Sequence, residues 1–156
     1  MKKNFIVYGK GKITIGKNVR IDNFVIFTSN NKKSKLIIED NVHISSFCFI
    51  NFNYNVIIKE FSGLSVGVRI FTESELRNED NLFFNPTAEH KIKRKTIKGS
   101  VKIEKNSIIG SNAVLLPGVV IGKACIIGAN SVVRKSTNDF SSYNGNPLRL
   151  IKKTVS

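Results

Sequence analysis

The chain repeats itself every six residues. Ile103, Ile109, Leu115, Ile121, Ile127 and Val133 lead six consecutive hexads, and four places after each leader stands a small residue: Ser107, Ala113, Val119, Cys125, Ser131 and Thr137. A period of six fits no helix, because a period of 3.6 would carry these positions around every face. In extended chain, side chains alternate, so the fifth residue of one hexad and the leader of the next share a face. The third and fourth positions are left to turn the chain. Pro117-Gly118 occupies them in its hexad and is a turn signal. Glycine at the second position (Gly16, Gly110, Gly122, Gly128) is expected to ease the chain into that turn. Every hexad presents the same face, so successive hexads cannot close as hairpins. They must wind, and stacked windings set leader over leader in one aliphatic core.

The register also runs through the first half, with gaps. Ile15 and Ile21 lead hexads carrying Val19 and Val25; Ile38 and Ile44 carry Val42 and Cys48; Ile58 and Leu64 carry Ser62 and Val68. Both cysteines thus fall at the small fifth position and read as buried free thiols. They lack the spacing of a zinc site or a redox pair. Polar residues from Thr28 to Lys35 make one interruption, and Asn51 to Asn55 make a second. The long one spans about 73–100 and holds Glu75, Asn85, His90 and a basic run from Lys91 to Lys98. A loop of that length in a compact domain reads as functional.

With 156 residues, one domain over 1–156 is expected. No apolar run is long enough to span a bilayer, and the basic start lacks the apolar core of a signal peptide, so the expected location is the cytoplasm, with no membrane insertion. The net charge of +14 reads either as a surface for an anionic partner, whether nucleic acid, an acidic lipid surface or phosphate-bearing small molecules, or as a lysine- and asparagine-rich coat. No nucleic-acid motif and no interleaved aromatic platform accompany it, so no nucleic-acid partner is expected.

With these hexads the chain resembles the hexapeptide-repeat acyltransferases. The resemblance covers nearly the whole chain and is densest from Val101 to Lys153. It implies an all-β, left-handed parallel β-helix, three hexads to a coil, assembled as a homotrimer with active sites between subunits. The handedness runs against the usual right-handed crossover and comes from the resemblance alone. The leaders 38–44–50, 58–64–70, 103–109–115 and 121–127–133 then mark four coils, with a partial one before them. Residues of about 139–156 break the period and are expected to cap the solenoid. "Phe61-Ser62-Gly63-Leu64-Ser65", "Val68-Arg69-Ile70-Phe71", "Asn85-Pro86-Thr87" and "Val42-His43-Ile44-Ser45-Ser46" look like a bacterial subgroup that acylates sugars, often nucleotide-linked amino sugars, in surface-polysaccharide synthesis. There the long loop shapes the acceptor site, which puts Glu75 and Asn85 at the acceptor, although relatives carry paired acidic residues where Glu75 is followed by Leu76.

Acyl transfer from a thioester needs a proton acceptor and a stabilised oxyanion. Histidine is the base suited to neutral pH, and the chain has two, His43 and His90. His43, sixth in its hexad, faces outward; His90 lies in the long loop. Maltose and galactoside acetyltransferases place a histidine shortly after the equivalent of Phe71-Thr72, and this chain has none there. The resemblance implies acetyl-CoA as donor, with Gly110, Ser111 and Ala129 along its pantetheine arm. Arg134, Lys135, Arg149 and Lys152 would meet its phosphates, since arginine and lysine pair with phosphate. The expected activity is acetyl transfer to a sugar, foremost to an amino group of a nucleotide-linked sugar. O-acetylation of a saccharide hydroxyl is the alternative, and a non-catalytic binding β-helix is the reading from another class. No metal is expected, because a hydratase site on this scaffold needs three histidines.

Overall fold

The computed structural model describes residues 5–75 and 96–153. The first coil holds strands β1 (Ile6–Gly9), β2 (Lys12–Ile15) and β3 (Arg20–Ile21). The second holds β4 (Ile26–Ser29), β5 (Lys35–Ile38) and β6 (His43–Ile44). The third holds β7 (Phe49–Asn51), β8 (Val56–Ile58) and β9 (Gly63–Leu64). The fourth starts at β10 (Arg69–Ile70) and leaves the solenoid through β11 (Glu73–Glu75) and β12 (Thr96–Lys98). It returns as β13 (Val101–Ile103) and β14 (Ile108–Ile109). The fifth holds β15 (Val114–Leu115), β16 (Val120–Ile121) and β17 (Ile126–Ile127). The sixth holds β18 (Val132–Val133) and β19 (Ser141–Asn144), and β20 (Arg149–Lys153) folds back on β19.

Strands of like place stack into three faces. Face A is β1-β4-β7-β10-β15-β18, face B is β2-β5-β8-β13-β16, and face C is β3-β6-β9-β14-β17-β19-β20. Pairing within each face is parallel, except between β19 and β20. The first coil is complete rather than partial. β1 lies outside the hexad spacing, yet it pairs residue by residue with β4, from Ile6 on Ile26 to Gly9 on Ser29. Part of the expected long loop is also regular: β11 and β12 pair antiparallel, Glu73 opposite Lys98. Among the described residues no helix is long and apolar enough to cross a membrane.

The corner of a hexad is a single left-handed residue at its fourth position. Asn18, Asn41, Asn106, Asn112 and Asn130 hold φ near +55°, and Gly67 and Gly118 take the same role. Asparagine and glycine visit this region at low cost. Phe24, Phe47, Phe61 and Phe140 occupy it too, and a bulky side chain there is strained. The strain has partial compensation in aromatic contacts: Phe24 and Phe47 stack at 5.2 Å, and Lys123 Nζ sits 5.3 Å from the Phe140 ring. The second-position glycines serve a different end from the one their place suggests. Gly110 does not have a positive φ; a Cβ there would meet Ala129 N at 2.6 Å and Ile127 O at 2.7 Å. Glycine is needed because the next coil passes so close.

Leaders and fifth residues point inward and are buried from Val25 to Val133. Cys48 and Cys125 are buried free thiols; burial pushes Cys48 up to about 11 and raises Cys125 as well. Where the fifth residue is serine, its hydroxyl ties coils together. Ser107 Oγ donates to Gly122 O at 2.8 Å and accepts from Cys125 N at 3.1 Å. In the sixth coil Thr137 stands where a face-B strand would run, and its Oγ1 accepts from Gly122 N at 3.0 Å. The β19–β20 pair closes this end.

Ile109 is fully buried between Leu64 and Ile127. Replacing it with alanine should cost about 2–5 kcal/mol in urea denaturation, as for other buried aliphatic truncations. A loss under about 1 kcal/mol would mean that the coils collapse into the space.

Candidate active site

The outward positions of the faces carry the chemistry. On face C, His43 lies in register between Arg20 and Gly63. Its Nε2 is 2.9 Å from Asp22 Oδ2, and the other carboxylate oxygen of Asp22 accepts from Arg20 Nε at 2.8 Å. An ionised Asp22 can only accept, so Nε2 is the donor of this bond, and in the neutral imidazole Nδ1 would hold the lone pair. Hydrogen bonds from His43 and then Arg20 hold the Asp22 carboxyl below its ordinary 3.8. Gly63 leaves the floor beside the imidazole bare: a Cβ there would have no atom within 4 Å. His43 is 44% exposed. Its imidazole is therefore held by Asp22 and open on its other side.

Asp22 was not among the residues that the sequence singled out. The available signal is its place: it follows the leader Ile21, where later hexads carry Ser45, Ser65, Gly110 and Gly128. One coil separates it from His43, and the hexad register makes them neighbours.

Around the corner, face A carries a cleft of about 450 Å³ at the base of the β11–β12 pair. Phe49 and Phe71 form one wall, with ring centroids 5.7 Å apart and planes at 41°. Asn51, Glu73, Ser74 and Lys98 line the rest. Asn53 Nδ2 donates to Glu73 Oε2 at 3.1 Å, and Lys98 Nζ lies 3.8 Å from its Oε1. Asn51 Oδ1 accepts from Thr72 Oγ1 at 2.9 Å. Of the acceptor residues expected from sequence, Glu75 lies on β11 opposite Thr96, while Asn85 falls outside the described residues, as does His90.

The expected donor-binding residues divide into two groups. Gly110, Ser111 and Ala129 lie on the corner that joins face C to face A, where Asn130 N donates to Ser111 O at 2.8 Å. Arg134 and Lys135 line a second cleft, of about 370 Å³, with Val132, Tyr143, Pro147 and Leu148. Two cations beside an apolar wall suit a phosphorylated nucleotide. Arg149 and Lys152 are exposed on β20, opposite Asn144 and Ser142, and do not line this cleft. Val132 begins two residues after Asn130, so the corner column leads directly into it. Among the described residues no three His, Cys, Asp or Glu side chains gather as a metal site.

A hexad solenoid with such clefts is the architecture of a transferase, and comparison with known proteins agrees. Residues 100–135 match the bacterial transferase hexapeptide (six repeats) family. The chain is 32% identical over 146 residues to dTDP-4-amino-4,6-dideoxy-D-glucose acyltransferase of Escherichia coli, covering 94% of this chain and 74% of that protein. It is 30% identical to WbbJ of Escherichia coli (strain K12), assigned to O-acetyl transfer in lipopolysaccharide biosynthesis, over 90% of this chain and 68% of that one. The crystal structure of AntD, an N-acyltransferase from Bacillus cereus in complex with dTDP and 3-hydroxybutyryl-CoA, superposes with a TM-score of 0.85 at 30% identity, covering 98% of this chain and 78% of that one. The chain belongs to the hexapeptide-repeat acyltransferases, and its fold is their left-handed parallel β-helix.

The Asp22–His43 pair carries a pH signature. A carboxyl depressed in the folded state contributes stability above its unfolded value, near 3.8, and that contribution is lost as pH falls through the folded value. Asp22→Asn should therefore flatten the fall in melting temperature below about pH 4 relative to the parent protein. Parallel melting curves for the two proteins across pH 2–5 would dismiss the pairing.

Proposed function

We propose that the protein transfers an acetyl group from acetyl-CoA to the amino group of a nucleotide-linked amino sugar, a reaction of surface-polysaccharide synthesis. The observation that carries this reading is His43, oriented by Asp22 over the bare floor of Gly63, in a chain 32% identical to a dTDP-amino-sugar acyltransferase. The acceptor nitrogen attacks the thioester carbonyl carbon and a C–N bond forms. The nitrogen's proton passes to His43 Nδ1. The C–S bond breaks, and the proton goes on to the departing sulfur, releasing coenzyme A as its thiol. Asp22 fixes the imidazole tautomer and stabilises the transient imidazolium. The donor's phosphates lie by Arg134 and Lys135, and its pantetheine arm runs along Gly110, Ser111 and Ala129. Arg149 and Lys152 add positive charge at the rim. Glu75 and Asn85 belong to the acceptor side, and His90 is the second candidate for the base.

Coils, paired strands and cap act as one domain, and three copies assemble as a cytoplasmic homotrimer with the C-to-A corner toward the threefold axis. What supports this arrangement is apolar exposure. Phe24 and Phe47 on that corner are 57% and 59% exposed, Val66 follows them, and Ile108 and Ile126 stand out from face C. Such an arrangement sets face C of one subunit, with its His43, against face A of the next. Similarity to WbbJ favours a second reading, O-acetylation of a saccharide hydroxyl.

A screen of nucleotide-sugars with acetyl-CoA, following thiol release, should give turnover on an amino sugar. His43→Ala should lower kcat by about a hundredfold or more, the range of lost general-base catalysis. Turnover on hydroxyl sugars alone would select the second reading, and failure to bind acetyl-CoA in calorimetry would sink both.

Phe47→Lys should shift the sedimentation mass from three subunits toward one. An unchanged mass would place the interface elsewhere.

A further inference from the structure

We propose that the face-A cleft between Phe49, Phe71 and Asn51 receives the pyrimidine base of the nucleoside diphosphate that carries the acceptor sugar, and that Arg69 is the cation for its diphosphate. This rests on the acceptor class proposed above and names where that acceptor is held.

The walls and the polar groups of the cleft agree on a flat, amide-bearing ligand. Phe49 and Phe71 are half-buried, so their rings offer an apolar surface that is already in place. Stacking on a fixed ring costs little ordering. The polar groups that line it include two donors and an acceptor. Asn51 presents amide N–H groups, because its oxygen is engaged by Thr72. Glu73 presents a carboxylate, anchored by Asn53. Lys98 supplies the second donor. A uracil-type ring presents the complement along one edge: carbonyl, N–H, carbonyl. A cytosine ring reverses two of these and would set its amino group and unprotonated nitrogen against mismatched partners.

The phosphate end is set by register. Arg69 stands directly beside Phe49 on β7 and Val114 on β15, outward and exposed. It is two residues from Phe71 and on the side of the C-to-A corner. A diphosphate leaving a base stacked on Phe71 therefore meets Arg69 on its way to that corner, where the acceptor sugar would lie. The guanidinium offers the paired donors that phosphate oxygens accept.

Calorimetry with the full chain tests this, using dTDP, UDP, CDP, thymidine and acetyl-CoA as probes. The parent protein should bind dTDP and UDP and prefer both to CDP. Phe71→Ala should weaken dTDP by about tenfold or more, the loss expected for one base–aromatic stack. It should leave acetyl-CoA within twofold. Arg69→Ala should weaken dTDP but leave thymidine unchanged, and the residual dTDP affinity should lose part of its salt dependence. Asn51→Asp, which keeps size but replaces a donor with an acceptor, should narrow the preference for UDP over CDP. Circular dichroism and melting temperature confirm that each variant is folded. Equal dTDP affinity in folded Phe71→Ala and Asn51→Asp would overturn the cleft while leaving the acyltransfer reading intact. A parent protein that binds acetyl-CoA but no nucleoside diphosphate would overturn the acceptor class, and the cleft assignment with it.

Discussion

The left-handed residue at the fourth position of most hexads governs everything else. It lets a chain of two- to four-residue strands turn through a corner without spending residues on a loop. Only then can the next strand lie one spacing below its predecessor and complete the ladder of parallel hydrogen bonds, such as Ile108 N to Cys125 O and Gly110 N to Ile127 O. The inward leaders stack because the corners repeat, and the corners repeat because asparagine or glycine stands at most of them. Four phenylalanines break that economy. Two of them stack on each other, both exposed, on the corner that flanks both His43 and the face-A cleft.

The interior is nearly the same in every coil, and so it cannot distinguish one relative from another. Chemistry has to be written on the outward positions, one residue per strand per coil. Asp22, His43 and Gly63 form one such column segment, and Phe49 with Arg69 forms another. The interruptions of the repeat add what a two-residue strand cannot. The departure after Phe71 raises Glu73 and Lys98 above face A, and the irregular sixth coil brings Arg134 and Lys135 beside Pro147 and Leu148.

The period of six made the solenoid legible, together with its inward positions, the fate of both cysteines and the outward place of His43. Other features lay out of reach for physical reasons. Which residues bear a positive φ follows from asparagine and glycine at a corner but not from phenylalanine, which is unfavourable there in isolation. Asp22 looks like one more polar surface residue until the coil length sets it beside His43. The second-position glycines looked like turn residues, and only the spacing between coils reveals that backbone would collide with a side chain. Phe49 and Phe71 are outward aromatics without period, and the cleft exists only because β11 and β12 rise next to them. β1 escaped the hexad count because it pairs through backbone alone.

Stacked coils also make the molecule a ruler. His43 lies on the second coil and Arg134 on the sixth, so four strand spacings, roughly 19 Å along the axis, separate the proposed base from the proposed phosphate cations. Inserting or deleting one coil of three hexads would leave every inward contact equivalent, yet change that span by a whole spacing of about 4.8 Å. The fold can thus gain or lose stability in small steps while the reach demanded of its donor changes only in jumps. A donor of fixed length would therefore fit one number of coils between those two positions.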